Sequence, residues 1–470
     1  MKKQTLLSLI ILIAFFSCSE KEKDINTTIT IAGKLENHTG PVIKVSLEDE
    51  LSVDSLQSDG SFLLKFDYEE TELFLVQNAD LRFSLYLSPG DSIYLTGDAE
   101  EFGATFLASG DKAGENSYLR KKMKSMNESG LNNIMELMAL KQDEYFMKKD
   151  SMLNVVKTNY NELNNTEGID PEFLELENSF FTYQSLFMDQ IYPMYHGYIT
   201  KTNQDSVDFP RERIQAEIEN VPLDRKELLA VAPYKNIVDS RIQKLSSALM
   251  KEDSTLTSYE DASNLAIDSL LKDAEMRDYF KYENIKMNME YRGPVHVEEQ
   301  YKKFLAENST PKFVEKLEKI KAKWEPISPG KEVPDFSFVD IDGNAVKMSD
   351  LKGKLVYIDI WATWCGPCIA EHPHWDKMKE EYKDKPVAFL TVSIDDTKEP
   401  WEKMVKNKKM DGLQWFAENA WQSELTQFFM VNAIPRFLLL DTEGKILDPS
   451  ADRPSGDIRE TLDKHLEGLV

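Results

Sequence analysis

Cysteine and positive charge are both scarce in this sequence. Its 470 residues contain three cysteines, and none lies between residues 19 and 364. Disulfide bonds therefore cannot cross-link that stretch. The chain carries 56 basic and 82 acidic residues, which gives a formal net charge of -26. This excess of negative charge repels phosphate backbones and provides no counterion release, so we expect no nucleic-acid partner.

A long hydrophobic run is also lacking at the N-terminus. The apolar stretch at residues 6–16 is too short, at about 1.5 Å per residue, to cross a bilayer core of about 30 Å. Lys2 and Lys3 precede this stretch, and a polar segment follows directly after Cys18. This order is typical of a signal peptide.

The sequence Phe15-Phe16-Ser17-Cys18 resembles the end of a bacterial lipoprotein signal, although Phe15 stands where leucine is usual. The resemblance implies that residues 1–18 contain the signal peptide and that Cys18 becomes the lipidated first residue. Two or three acyl chains anchor firmly, because each buried CH₂ group contributes about 0.8 kcal/mol. We therefore expect a lipid-anchored protein of the cell envelope that faces the periplasm or the cell surface. An ordinary signal peptide with an incidental cysteine is the alternative.

Length and hydrophobic periodicity predict a multidomain protein. A chain of 470 residues is too long for one hydrophobic core, and 41% hydrophobic residues suffice for folded domains. At residues 26–112 apolar residues alternate with polar ones, as in Phe62, Leu64 and Phe66. This period of two predicts an N-terminal antiparallel β domain.

The period becomes helical at residues 113–325. Asp170-Pro171 is a typical helix start, with a capping side chain followed by proline in the first turn, and Thr310-Pro311 opens another helix. Apolar residues at spacings of three and four follow each start. The segment therefore predicts a middle all-α domain, to which we assign no chemistry.

A third pattern occupies residues 331–470. Short apolar runs typical of buried strands lie at residues 356–361, 387–394 and 437–440, and a helix-like stretch separates the first two. Strands that alternate with helices predict a layered α/β domain.

Two cysteines follow the first of these strands, in the sequence Trp364-Cys365-Gly366-Pro367-Cys368. The segment predicts a turn into a helix, and unpaired backbone N–H groups and the helix dipole at such a helix start favour an anion. Cys365 is therefore expected to form a thiolate, the species that attacks disulfides. Cys368 lies one turn later and within disulfide reach.

This segment closely resembles thioredoxin-like proteins of the TlpA and ResA kind, the exported thiol-disulfide oxidoreductases. The resemblance covers about residues 331–470 and implies a thioredoxin fold, with Cys365 as the attacking thiol and Cys368 as the resolving thiol. It implies no metal and no cofactor beyond the redox-active Cys365–Cys368 disulfide. The β domain at residues 26–112 is similar to an uncharacterised β domain that often precedes thioredoxin domains in bacterial lipoproteins.

Two acids belong to the predicted site. Glu371 matches the acid that follows the second cysteine by three residues in this family, where it is implicated in proton handling. Asp359 stands six residues before Cys365, at the position of the buried acid in cytoplasmic thioredoxins, whereas many exported relatives have asparagine there. A carboxylate buried beneath the cysteines is expected to have a raised pKa and to accept the proton of Cys368.

The second part of the predicted site is Ile434-Pro435, which directly precedes the third strand of the α/β domain. The resemblance implies a cis proline that lies against the cysteines and exposes the backbone of the preceding residue to a substrate chain. We also expect substrate contacts at Trp364, Gly366 and Pro367.

Three other interpretations remain open. A zinc site would use the ligands Cys365, Cys368, His372 and His374. The two cysteines lead a helix, however, and Pro373 separates the histidines awkwardly. A thiol peroxidase would place threonine three residues before its reactive cysteine, where Ala362 stands. In the third interpretation the protein is mainly a binding lipoprotein and the thioredoxin domain is accessory.

The resemblance favours a membrane-tethered thiol-disulfide oxidoreductase. Its expected partners are disulfides of exported proteins, including those of apocytochromes in cytochrome c-type biogenesis, and a membrane thiol carrier that donates electrons.

Replacing Cys18 with alanine is expected to block processing and membrane anchoring, because the lipid would attach to that sulfur. Mass spectrometry of the N-terminus and membrane fractionation measure both effects. The wild-type protein should start at Cys18 and sediment with membranes. A wholly soluble wild-type protein that starts at another residue would refute the lipoprotein prediction.

Overall fold

The computed structural model describes residues 26–47, 49–256, 258–307 and 310–467. The predicted signal with Cys18 lies outside the described residues. The chain divides into two compact units. One contains the described residues up to Pro222 together with Glu227–Val238, and the other contains Leu223–Lys226 and the described residues from Asp239 onward.

The first unit begins with β-strands that form two four-stranded sheets. The strands are β1 (Thr28–Glu36), β2 (Val42–Ser46), β3 (Glu50–Ser55), β4 (Ser61–Asp67), β5 (Glu72–Asn78), β6 (Leu81–Leu87), β7 (Ser92–Asp98) and β8 (Leu107–Gly110). They are ordered β4-β1-β7-β8 and β3-β2-β5-β6. Phe62, Leu64 and Phe66 are buried, as their alternation predicts. Within the described residues of these two sheets, every strand pair is antiparallel except β1 with β7, which is parallel.

Helices complete the first unit. They are α1 (Phe102–Thr105), α2 (Ala113–Ser129), α3 (Met135–Ala139), α4 (Gln142–Asn164), α5 (Pro171–Thr200) and α6 (Arg211–Glu219). The predicted helix start at Asp170 is confirmed, since its side chain accepts a hydrogen bond from the Glu172 N–H. Asn116 of α2 covers the edge strand β6 by pairing with both the N–H (2.8 Å) and the C=O (3.0 Å) of Tyr86.

More helices follow. The first of them is α7 (Ala232–Glu252), and the chain passes from the first unit to the second within this helix, between Val238 and Asp239. The second unit continues with α8 (Tyr259–Leu270), α9 (Ala274–Arg292), α10 (Glu298–Glu307) and α11 (Pro311–Trp324). The predicted start of α11 is confirmed, and its apolar face is buried. Among the described residues, no helix combines the length and the apolar character that a membrane crossing requires.

A seven-stranded sheet and the helices connected to it form the rest of the second unit. Its strands are β9 (Ser337–Asp340), β10 (Ala345–Lys347), β11 (Leu355–Trp361), β12 (Val387–Ser393), β13 (Leu413–Phe416), β14 (Arg436–Leu440) and β15 (Ile446–Ala451). The helices are α12 (Gly366–Glu381), α13 (Lys398–Lys408), α14 (Glu424–Phe428) and α15 (Ile458–Glu467). The strand order is β10-β9-β13-β12-β11-β14-β15, with β11 parallel to β12 and antiparallel to β14.

Side chains that alternate along β11 and β14 pack into two separate cores. Ile358 and Leu438 join a core that includes buried residues of α9, α10 and α11. Tyr357 and Phe437 join a second core with α12 and α15. The predicted succession of β domain, helical segment and α/β domain is confirmed. The domain boundaries stay predictions.

Candidate active site

The reactive segment lies between the most buried strand of the sheet and a helix. All seven residues of β11 are buried, and α12 begins five residues after this strand ends. Cys365 is the N-cap residue of α12, and its Sγ accepts a hydrogen bond of 3.2 Å from the Cys368 N–H. The sulfur therefore occupies a position where backbone N–H groups stabilise negative charge.

A disulfide joins Cys365 and Cys368, whose Cα atoms are 5.3 Å apart. The side chains differ slightly in access, because Cys365 is 4% exposed and Cys368 is fully buried. Gly366 and Pro367, between them, are exposed. A solute that approaches this helix start therefore reaches Cys365 before Cys368.

Asp359 lies on β11 and is 1% exposed. Neither of its carboxylate oxygens has a hydrogen-bond partner. Burial raises the pKa of Asp359 well above its usual 3.8, and the nearby charge of Glu371 raises this pKa further. Asp359 is therefore a group that holds its proton more tightly than an ordinary carboxyl does.

Glu371 lies on α12 and is also buried, but it is hydrogen-bonded. Its two carboxylate oxygens accept bonds from the Ser455 N–H (3.1 Å) and the Ser455 hydroxyl (2.8 Å). These two hydrogen bonds fix the position of the Glu371 carboxylate. The two acids of the predicted site thus occupy different environments, one without partners and one held by a loop residue.

Apolar side chains lie beside the cysteines. Trp364 is 57% exposed, and its indole ring lies 6.2 Å from that of Trp421, at an interplanar angle of 40°. The Ile434–Pro435 peptide bond is cis, and both residues are partly exposed. Because Arg436 pairs with Ile360 across β11 and β14, Pro435 lies at the end of β11 that leads to the cysteines.

Sequence reasoning missed the contribution of Asp395. It is buried at the end of β12, and its carboxylate accepts hydrogen bonds from the Thr363 N–H (3.1 Å) and the Thr363 hydroxyl (2.6 Å). It also accepts one from the Ser393 hydroxyl (2.7 Å). Asp395 thus fixes the turn before Cys365. An acid at the carboxyl end of a strand next to β11 was the available signal, because such ends meet at one edge of a parallel sheet.

The residues of the zinc alternative do not come together as a ligand set. His372 is buried, and its two ring nitrogens have no hydrogen-bond partner. Burial lowers the pKa of His372, which packs against the Trp361 ring. His374 is exposed. Across the part of the chain that the structure describes, no group of three or more potential ligands is arranged to hold a metal ion.

Comparison with known proteins gives consistent similarities. The Redoxin family model matches residues 328–461. A thiol-disulfide oxidoreductase ResA of Bacillus cereus is 32% identical over 142 residues, which cover 30% of this chain and 76% of the relative. ResA of Bacillus subtilis is 28% identical over 123 residues, or 26% of this chain and 67% of the relative. The thioredoxin-like α/β fold and the thiol-disulfide oxidoreductase activity predicted from the sequence are confirmed.

Two solved structures are similar to this chain over part of its length. The thioredoxin domain of a thiol-disulfide oxidoreductase from Bacteroides vulgatus is 29% identical, with 30% of this chain and 98% of that chain covered and a TM-score of 0.28. A thiol:disulfide interchange protein from a Bacteroides species is 29% identical, with 30% and 92% covered and a TM-score of 0.28.

Replacing Asp359 with asparagine is expected to change how stability depends on pH. Because folding raises the pKa of Asp359, its contribution to stability is fully present below about pH 4 and is lost as pH rises through the folded-state pKa. The asparagine variant has no ionisable group at this position, so it does not lose stability in this way as pH rises. Its free energy of unfolding relative to wild type should therefore increase by at least about 1 kcal/mol between pH 4 and pH 8. Denaturant unfolding of the disulfide form measures this, and parallel pH profiles would contradict the assigned pKa shift.

Proposed function

The chain belongs to the ResA family of thiol-disulfide oxidoreductases, and we propose that it reduces disulfide bonds of exported proteins through Cys365 and Cys368. The observation that carries the proposal is the position of Cys365, buried at the start of α12 with its sulfur bound to a backbone N–H. A thiolate in that position is both stabilised and reachable from one side.

In the proposed reaction the thiolate of Cys365 attacks one sulfur of a substrate disulfide. A bond forms between Cys365 and that sulfur, and the other substrate sulfur leaves as a thiolate and takes up a proton. Cys368 then loses its proton and attacks Cys365, which releases the second substrate thiol and closes the Cys365–Cys368 disulfide. Two electrons pass from the protein to the substrate.

The two acids have different proposed roles. Asp359 accepts the proton of Cys368 during the second step, since a carboxyl with a raised pKa is a suitable proton acceptor near neutral pH. Glu371, held by Ser455, influences the ionisation of Cys365. Each role uses a residue of the strand or helix that flanks the cysteines.

The proposed substrate is a polypeptide with an accessible disulfide. Trp364 offers a large exposed apolar surface next to Cys365, and Ile434 and Pro435, at the end of β11 that leads to the cysteines, are partly exposed. Apolar surface beside a reactive sulfur suits a chain segment better than a small polar disulfide. The Gly366-Pro367 pair is that of reducing thioredoxins, which favours reduction over oxidation.

We further propose that Cys18 carries a lipid anchor and that the protein acts in the bacterial cell envelope. A membrane thiol carrier would then return two electrons to the Cys365–Cys368 disulfide after each reaction. The similarity to ResA, a thiol-disulfide oxidoreductase, supports a role in thiol exchange for this protein. Cytochrome c-type biogenesis is one process in which such a reductant would act.

The detergent-solubilised full-length chain is expected to reduce insulin with dithiothreitol as the electron source. Replacing Cys365 with serine should lower the rate by at least about a hundredfold, because the attacking sulfur is lost. Replacing Cys368 with serine should instead trap mixed disulfides with exported proteins. Absence of reductase activity in the wild-type protein would support the interpretation that it is mainly a binding lipoprotein. Turnover of peroxide in place of insulin reduction would support the interpretation that it is a thiol peroxidase.

Asparagine at position 359 should slow the release of the mixed disulfide near neutral pH by about tenfold, with less effect on the first attack. Glutamine at position 371 should shift the pH dependence of Cys365 alkylation instead. Glu380→Gln is the matched control, because Glu380 is an exposed acid on the same helix as Glu371. Stopped-flow kinetics across pH measure both steps. Unchanged profiles in the Asp359 and Glu371 variants would leave only the cysteines and the helix start as catalytic parts.

A further inference from the structure

A buried cation follows Pro435 directly. Arg436 is 5% exposed, and its Nη1 donates hydrogen bonds to the Tyr291 carbonyl (2.5 Å) and to the Ser450 Oγ (2.5 Å). The guanidinium carbon lies 5.4 Å from the centre of the Trp324 ring. The Ser450 hydroxyl also donates to the Tyr291 carbonyl, at 3.2 Å. We refer to Arg436, Tyr291, Trp324 and Ser450 as the Arg436 cluster.

The charge in this cluster is only partly compensated. Nη2 of Arg436 has no hydrogen-bond partner. Burial lowers the pKa of Arg436 to about 10, although the charge of Asp448 raises it in part. A buried cation whose hydrogen bonds are incomplete is costly, and a neutral side chain of the same length would pack at a lower cost. Packing alone therefore does not explain an arginine at this position.

The cluster attaches to the end of a helix. Tyr291 is the penultimate residue of α9, where carbonyl groups lack partners within the helix and carry the negative end of its dipole. Gly293, the residue directly after α9, has a φ of +87°. A Cβ atom at this position would lie 2.9 Å from a Trp324 ring atom. The turn after α9 thus packs tightly against the indole that Arg436 faces.

The other end of the cluster reaches the candidate active site. Arg436 is the first residue of β14, follows Ile434-Pro435, and pairs with Ile360 of β11, which lies five residues before Cys365. Ser450 belongs to the neighbouring strand β15. The cluster therefore joins the C-terminal end of α9 to the segment that carries the proposed substrate contacts.

We propose that Arg436 is a positioning residue for the reduction of polypeptide disulfides, which holds the Ile434–Pro435 segment in place by binding the C-terminal end of α9. This inference rests on the proposed function and extends it. It gives the helices that precede the α/β domain a part in substrate recognition, because α9 supplies the carbonyl that Arg436 binds.

Arg436→Met in the full-length chain tests the proposal, since methionine keeps an unbranched apolar side chain and removes the charge and its hydrogen bonds. The KM for insulin should rise about tenfold while kcat changes less than about twofold. Reduction of a small aromatic disulfide should keep its wild-type rate, because such a molecule reaches Cys365 without the Ile434–Pro435 segment. Equal loss of both activities in a folded variant would indicate a structural role and overturn the proposal.

Two further variants complete the test. Arg292→Ala is the matched control, since it removes the exposed Arg292–Asp452 ion pair (3.1 Å) from the same helix end, and it should leave KM unchanged. Ser450→Ala removes one partner of Arg436 and retains the cation, and it should raise KM about twofold to threefold. If the methionine variant does not fold, an unchanged KM in Ser450→Ala overturns the proposal.

The outcomes also separate this inference from the proposed function. A wild-type protein that fails to reduce insulin would overturn both. A wild-type protein that reduces insulin, together with unchanged KM values in the folded Arg436 and Ser450 variants, would overturn only the role of Arg436.

Discussion

The hydrogen bond from the Cys368 N–H to the Cys365 sulfur is the interaction on which the proposed chemistry depends. It exists because β11 is fully buried, ends at Trp361, and is followed by a turn that Asp395 fixes through Thr363. The helix start then presents its free N–H groups to the sulfur. The other proposed groups are arranged around this point, with the acids on β11 and α12 and the apolar contacts on the flanking loops.

Features set by neighbouring residues could be predicted from the sequence. The start of α5 follows from the capping side chain of Asp170 and the proline after it, and the start of α11 follows from Pro311. The alternation at Phe62, Leu64 and Phe66 fixes which side of β4 is buried. The cysteine segment also predicts α12 locally. In α5, however, the spacing of apolar residues did not predict that Glu177 is buried, because its partners Tyr118 and Lys122 come from α2.

Periodicity and capping rules did not find the contacts between distant segments, for the same reason. Asp395 binds Thr363 across 32 residues, and Ser455 binds Glu371 across 84 residues. Arg436 reaches the Tyr291 carbonyl across 145 residues. No periodicity or capping rule relates residues this far apart, and all three contacts depend on how the sheet brings its strands and helices together.

The reduction potential of the Cys365–Cys368 pair tests the proposed reductase most directly. It is measured by equilibrating the full-length protein with mixtures of reduced and oxidised glutathione and counting free thiols. A reductant with Gly366-Pro367 between its cysteines should give a value near that of thioredoxin, about -270 mV. A value near about -120 mV, typical of the oxidant DsbA, would contradict the proposed direction of electron flow.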